Sequence, residues 1–213
     1  MNKSFGYIVV EGPIGVGKTT LAKRLASHYG SDLVLEDAAE NPFLPQFYKN
    51  PKDAALAAQL FFLFQRVAQI KSLSQSDLFN PIRVADFLLE KDRLFAELTL
   101  NDDELKLYDQ VYANIAVEIP RPDLVIYLQA PVEILQQRIK KRAIDHEQGI
   151  DYGYLERLSE AYIRFFYQYT NAPLLIVNAA EVNFAEGEDD FAMLLSEFKN
   201  LPAGVTYFNQ MTN

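Results

Sequence analysis

Gly12-Pro-Ile-Gly-Val-Gly17-Lys18-Thr19 stands between the apolar run Tyr7-Ile-Val-Val10 and the stretch Lys18 to Tyr29, which is rich in helix formers at helical spacing. It is a complete G-x-x-x-x-G-K-[ST] pattern set where a strand passes into a helix. Its glycines let the chain turn so that successive backbone N–H groups point at phosphate oxygens, and the helix dipole adds positive charge at the same place. Gly12, Gly15, Val16 and Gly17 form that cradle, Lys18 reaches the β- and γ-phosphates, and the Thr19 hydroxyl binds Mg2+, with Thr20 following it into the helix. ATP with Mg2+ is the ligand such a loop implies.

Outward from the loop, short apolar runs alternate with longer helical patterns. Leu33-Val-Leu35, Ile82-Arg-Val84, Leu124 to Leu128 and Leu174 to Val177 are apolar enough to be strands covered on both faces, as in a parallel sheet. Pro51 to Leu78, Leu88 to Ile119, Val132 to Arg142 and Tyr154 to Tyr169 carry helix formers at helical spacing. The alternation predicts an α/β fold, a doubly wound five-stranded parallel sheet with right-handed crossovers. Pro51, Pro81, Pro120, Pro122, Pro131 and Pro173 mark helix boundaries, because the residue before a proline is biased away from helix. No stretch reads as a linker or a repeat. The expectation is one domain over residues 1–200, its last helix running to Lys199 after the acidic segment Glu186 to Asp190, and a loose tail over 201–213.

Composition narrows the function. The chain has 213 residues, 49% hydrophobic and 23% charged, the usage of a folded globular protein. With 20 basic against 29 acidic residues the net charge is −9, so no global field draws it to nucleic acid or anionic lipid. The absence of cysteine excludes a disulfide framework and a thiolate metal site, and two histidines leave little for a zinc centre. Tyr7 to Val10 is too short for a signal peptide's apolar part, and runs such as Leu60 to Phe64 fall far below the roughly 20 residues a membrane span needs. A cytoplasmic protein with no membrane passage is expected.

Further residues suit phosphoryl transfer. Glu36-Asp37 closes the second strand on the rim that carries the phosphate loop, where one carboxylate could take a proton from an attacking hydroxyl. Asp86 closes the third strand, in reach of Mg2+ directly or through water. Arg138 and Arg142, four apart on one helical face, lead into Asp145-His-Glu-Gln-Gly149 and read as a lid whose cations neutralise phosphate charge; they equally suit a solvated basic face. Gln59 and Arg66 lie seven apart, two turns, on an otherwise apolar helix, and an amide there either reads a nucleobase edge or is satisfied within the core.

EGPIGVGKTT, LEDAAENPFLPQFYKNP, QLFFLFQR, ADFLLEKDRLFAEL, PDLVIYLQAPVEIL and QQRIKKRAIDHEQGIDYGYLERL, in this order, resemble the bacterial deoxyribonucleoside kinases of the deoxyadenosine and deoxyguanosine type over roughly Tyr7 to Asn178. The resemblance implies transfer of the γ-phosphoryl of ATP to the 5′-hydroxyl of a deoxyribonucleoside, with purines favoured, in a homodimer. It also implies site roles. Glu36 becomes the base for the 5′-hydroxyl, Gln59 the amide that reads the nucleobase, and Arg66 its support. Tyr48 and Glu147 hold the sugar, Asp86 borders the nucleoside and the metal, and Arg138 and Arg142 act from a lid over about 138–153. Three departures stand out. Where related chains of the animal branch read Glu-Arg-Ser after strand three, this one reads Ala85-Asp86-Phe87, so an arginine is missing and Lys91 or Arg93 is left to replace it. The lid reads Arg142-Ala143-Ile144 and carries one cation fewer, and Ala54 stands where a tryptophan is frequent.

Two rivals remain at this level. A nucleoside monophosphate kinase such as a thymidylate kinase shares the fold but needs an extra arginine near the acceptor pocket for a phosphate that Glu36 would repel. A regulatory nucleotide switch would hydrolyse ATP without regard to nucleosides.

Overall fold

The computed structural model describes residues 5–75, 82–115, 119–182, 184–185, 187–198 and 201–209. Its centre is a parallel sheet of six strands: β1 (Tyr7–Glu11), β2 (Asp32–Val34), β3 (Arg83–Ala85), β4 (Leu124–Gln129), β5 (Leu174–Asn178) and β6 (Val205–Phe208). They lie in the order β2-β3-β1-β4-β5-β6. The helices are α1 (Lys18–Tyr29), α2 (Leu44–Lys49), α3 (Pro51–Gln75), α4 (Lys91–Thr99), α5 (Asp102–Ala113), α6 (Val132–Arg142), α7 (Tyr152–Tyr167) and α8 (Glu188–Phe198).

Successive side chains of a strand point to opposite faces, and here both faces are covered. Ile8, Val10, Leu124 and Ile126 pack on one side with Leu21 and Leu25 of α1 and Leu194 and Phe198 of α8. Tyr7, Val9, Val125 and Tyr127 pack on the other with Leu63 of α3, Leu94 of α4 and Leu158 and Tyr162 of α7. That double burial is why β1 and β4 read as uninterrupted apolar runs. β1 lies between β3 and β4. The chain therefore winds off in opposite directions from β1, and a crevice opens beyond its carboxyl end, where ligands bind in such sheets.

The phosphate loop begins at that point. Gly12 has φ +148°, and a Cβ there would lie 2.4 Å from the Leu128 carbonyl oxygen of β4. Gly15 has φ +83°, and a Cβ there would meet Leu135 O and Ile139 Cγ1 of α6, each at 2.9 Å. Both glycines are thus required by backbone angle and by close approach of neighbouring elements.

The doubly wound parallel α/β fold agrees with expectation, and three details differ. Within the stretch Leu88 to Ile119, expected as one helix, lie the two helices α4 and α5, because Asn101 starts a new one: its Oδ1 accepts from the N–H groups of Asp103 and Glu104, both at 3.0 Å, while Glu104 accepts from the Asn101 N–H. The segment 201–213, expected as a loose tail, contributes a sixth strand: Gly204 turns at φ +101° and Val205–Phe208 pairs in parallel with β5, burying Phe208. Its Val-Thr-Tyr-Phe composition is that of a strand. The short helix α2 follows the Asn41-Pro-Phe-Leu44 turn, in which the buried Asn41 amide donates to Ala58 O of α3 at 3.1 Å. The expected helix end at Leu78 lies outside the described residues.

Candidate active site

Two cavities flank the phosphate loop. The larger, about 330 Å³, runs past Gly17, Thr20, Arg138 and Lys141 to Val182 and Phe184. The smaller, about 130 Å³, lies under α2 and α3, lined by apolar Ile14, Leu44, Phe47, Phe62 and Phe95 and by polar Glu36, Tyr48, Gln59, Arg66, Asp86, Lys91 and Glu147. Gly15, Lys18, Thr19 and Arg142 line both. The two spaces therefore meet at the residues that hold the terminal phosphates in a loop of this type.

Charge is concentrated at the junction. Lys18 Nζ donates to the carbonyls of Gly12 at 2.8 Å and Pro13 at 3.3 Å. Burial, and then the like charge of Lys91, push its pKa below the ordinary lysine value. Thr19 donates its hydroxyl hydrogen to Asp86 Oδ2 at 2.5 Å, and Asp86 Oδ1 accepts the Glu36 backbone N–H at 2.7 Å, so one buried carboxylate fixes the loop and the end of β2 together. Thr19 and Asp86 are adjacent hard oxygen donors beside the phosphate cradle, a donor set that fits Mg2+ shared with substrate phosphates.

Glu36 faces the smaller cavity, held by Arg66 of α3, which also pairs with Asp92 of α4, and by Lys91 at 3.5 Å. Burial alone would raise its pKa, but the charges of Arg66, Lys91 and Lys18 and the Arg66 hydrogen bond outweigh burial and hold it down to about 2. The carboxylate is therefore ionised at neutral pH. A depressed carboxyl stabilises the fold above its unfolded pKa, and that contribution is lost as pH falls toward the folded value. The stability difference between wild type and Glu36→Gln, measured by urea unfolding, is accordingly expected to shrink as pH falls from 4.5 toward about 2; a difference independent of pH would contradict it.

The sequence-derived candidates come together with few exceptions. Arg142 pairs with Glu147 Oε2 at 2.5 Å, so the cation and the acid expected to act on phosphate and sugar meet. Arg138 lines the larger cavity, yet its guanidinium also donates to Val16 O at 3.1 Å and Ala179 O at 2.7 Å, tying α6 to the phosphate loop and to the end of β5. Gln59 is 4% exposed and its amide makes no hydrogen bond to a described residue. Asp37 is exposed, accepts the Ala39 N–H at 3.1 Å and does not line the smaller cavity, whereas Glu36 does. Ala54 packs among Leu44, Phe47 and Ala58 and does not line the cavity. Of the two candidates for the absent arginine, Lys91 lines the smaller cavity, whereas Arg93 is 54% exposed and pairs with Glu97 and Asp109.

Sequence reading missed Asp92, Glu11 and Tyr154. Asp92 and Lys91 stand side by side in LEKDR, where an acid and a base at a helix start look like an ordinary solvated turn; both are buried. Glu11, directly after Val10, carried a signal of its own: a fully buried acid ending the central strand.

A doubly wound sheet with a phosphate loop and two cavities that meet at the loop lysine fits an α/β phosphotransferase acting between a nucleotide and a second small molecule. The match to known proteins is more specific. Residues 8–202 match the deoxynucleoside kinase family, and the chain belongs to it. A deoxyguanosine kinase of Bacillus subtilis is 33% identical over 201 residues, 92% of this chain and 97% of that protein. A deoxyadenosine kinase of Lactobacillus acidophilus is 30% identical over 191 residues, 83% and 87% of the two chains. The solved structure of a deoxyadenosine kinase from M. mycoides, with the products dCMP and a flexible dCDP bound, superimposes with a TM-score of 0.79 at 25% identity, covering 90% of this chain and 97% of that one. The protein is a deoxyribonucleoside kinase, an enzyme of ATP-dependent deoxynucleoside phosphorylation.

Proposed function

We propose that Mg2+·ATP occupies the larger cavity and a purine deoxyribonucleoside the smaller one, with its 5′-hydroxyl at the junction. One observation carries this reading: the smaller cavity opens onto Lys18 beside the ionised Glu36, while its other cations, Arg66, Lys91 and Arg142, are already paired with carboxylates. Such a cavity has a proton acceptor for a hydroxyl and no uncommitted cation for an acceptor phosphate, which disfavours the monophosphate kinase. Gly12, Gly15, Val16, Gly17, Thr19 and Thr20 hold the donor phosphates through the loop, and Lys18, Arg138 and Arg142 supply positive charge there. When bound, Mg2+ held by Thr19 and Asp86 supplies further charge neutralisation on the phosphates. Tyr48 and Glu147 hold the sugar, Gln59 reads the base, and Arg66 fixes the Glu36 carboxylate.

The relatives' names support a purine preference, and the test is a comparison of kcat/KM for deoxyguanosine, deoxyadenosine, deoxycytidine and thymidine. Higher values for both purines are expected; a pyrimidine in first place would reverse the assignment. Gln59→Leu removes the base-reading amide. It is expected to raise KM for every accepted nucleoside by the equivalent of about 1–3 kcal/mol while ATP KM hardly moves. Unchanged nucleoside kinetics with a lowered melting temperature would return Gln59 to the core.

We further propose that the enzyme works as a cytoplasmic homodimer without a nucleic-acid or membrane partner. Ile163 and Tyr167, large exposed side chains four apart on α7, support a helix-mediated contact, and the net charge of −9 supports the lack of nucleic acid. Among the described residues no helix is long and apolar enough to cross a membrane.

A further inference from the structure

Lys91, the first residue of α4, is 1% exposed, yet it lines the smaller cavity. It lies 3.3 Å from Glu11 Oε1 and 3.5 Å from Glu36 Oε2. Glu11 is wholly buried at the end of β1, and its carboxylate is shared: Oε1 also accepts the Tyr162 hydroxyl at 2.9 Å and the Gly12 N–H at 3.1 Å, and Oε2 accepts the Leu88 N–H at 2.8 Å. One carboxylate thus joins the first residue of the phosphate loop, the turn after β3, and helix α7 to the lysine. A lysine ammonium and a carboxylate withdrawn from water at this depth are costly to keep, and a core that needed only volume would be served by apolar side chains. The charge has been placed in the wall of the smaller cavity, beside Glu36.

We propose that Lys91, fixed by Glu11, is a catalytic cation of the phosphoryl transfer, acting from the wall of the smaller cavity beside Glu36. In the transfer the 5′-oxygen forms a bond to the γ-phosphorus as the bond from that phosphorus to the β–γ bridging oxygen breaks. The hydroxyl proton passes to Glu36, and ADP leaves with the bridging oxygen. Lys91 holds Glu36 Oε2 in place and meets the negative charge gathering around the acceptor oxygen. Glu11 is the positioning residue that keeps the ammonium from turning wholly toward Glu36. Around this pair stand Lys18 from α1, Glu90 just before α4, Tyr7 of β1, Tyr127 of β4, Tyr162 of α7 and Phe95 of α4, whose ring centre is 5.9 Å from the Lys91 ammonium.

The inference rests on the nucleoside kinase reading of the two cavities, so Lys18→Ala and Glu36→Gln are assayed beside it. Lys91→Met is expected to lower kcat about 10²-fold with nucleoside KM changed far less. The double variant Glu11→Gln/Lys91→Met removes both buried charges, so that neither is left alone, and is expected to fold and stay inactive. Arg93→Ala, an exposed cation on the same helix, should leave kcat unchanged. Near-normal kcat in Lys91→Met, a loss confined to nucleoside KM, recovery of kcat in the double variant, or loss of the fold in both variants would overturn the proposal and leave the pair a purely structural one. If Lys18→Ala and Glu36→Gln also turned over normally, the reading of the cavities would fall with it; if those two collapsed, only the role of Lys91 would.

Discussion

Lys18→Ala is expected to lower kcat by about 10²–10³-fold while the protein stays folded. The lysine is the loop's only side-chain ammonium and lines both cavities, so its removal takes charge from the donor phosphates and from the junction at once. Its present partners are the carbonyls of Gly12 and Pro13, which belong to a loop held by the glycine geometry and by β4, and alanine is a better helix former at the start of α1. The melting temperature should therefore hardly change. The check is kcat with labelled ATP and deoxyguanosine, alongside a thermal melt. A variant that keeps more than about a tenth of wild-type kcat has lost less than about 1.4 kcal/mol of transition-state stabilisation, too little for a residue at the site of transfer.

Glu36→Gln comes next in size. Glutamine keeps the shape and cannot accept the hydroxyl proton, so kcat should fall by about 10² or more while nucleoside KM is largely retained. Asp37→Asn is the companion, because Asp37 caps the turn at Ala38–Glu40 and does not line the smaller cavity. It should cost some stability and almost no turnover. An inactive Asp37→Asn beside a nearly normal Glu36→Gln would move the base by one residue.

The parts of this molecule that were legible in its sequence are those whose physics is local. The strand, loop and helix from Tyr7 to Tyr29 could be read in full because each glycine, the lysine and the threonine act on a ligand through neighbouring atoms. Doubly buried strands announce themselves through unbroken apolar runs. The rest depends on residues distant in sequence. Lys91 and Glu11 are 80 positions apart, and nothing near either predicts the other. The Arg66 to Asp92 pair is hidden in the same way, an arginine in one helix answered by an acid in the next. The break at Asn101 was a local signal, Asn with Glu three residues later, outweighed by the helix formers on both sides. β6 was missed because four residues carry little periodicity, and only the open edge of β5 shows why they pair.

The central claim is that the smaller cavity presents an uncharged nucleoside's 5′-hydroxyl to the donor's terminal phosphate. It is tested most directly by incubating the protein with ATP labelled in its γ-phosphate and each of the four deoxyribonucleosides or their 5′-monophosphates, and following where the label goes. The account predicts labelled deoxynucleoside 5′-monophosphates, most rapidly from the purines, and no labelled diphosphate from the monophosphates. Labelled diphosphates, or release of labelled phosphate at a rate indifferent to nucleosides, would contradict it.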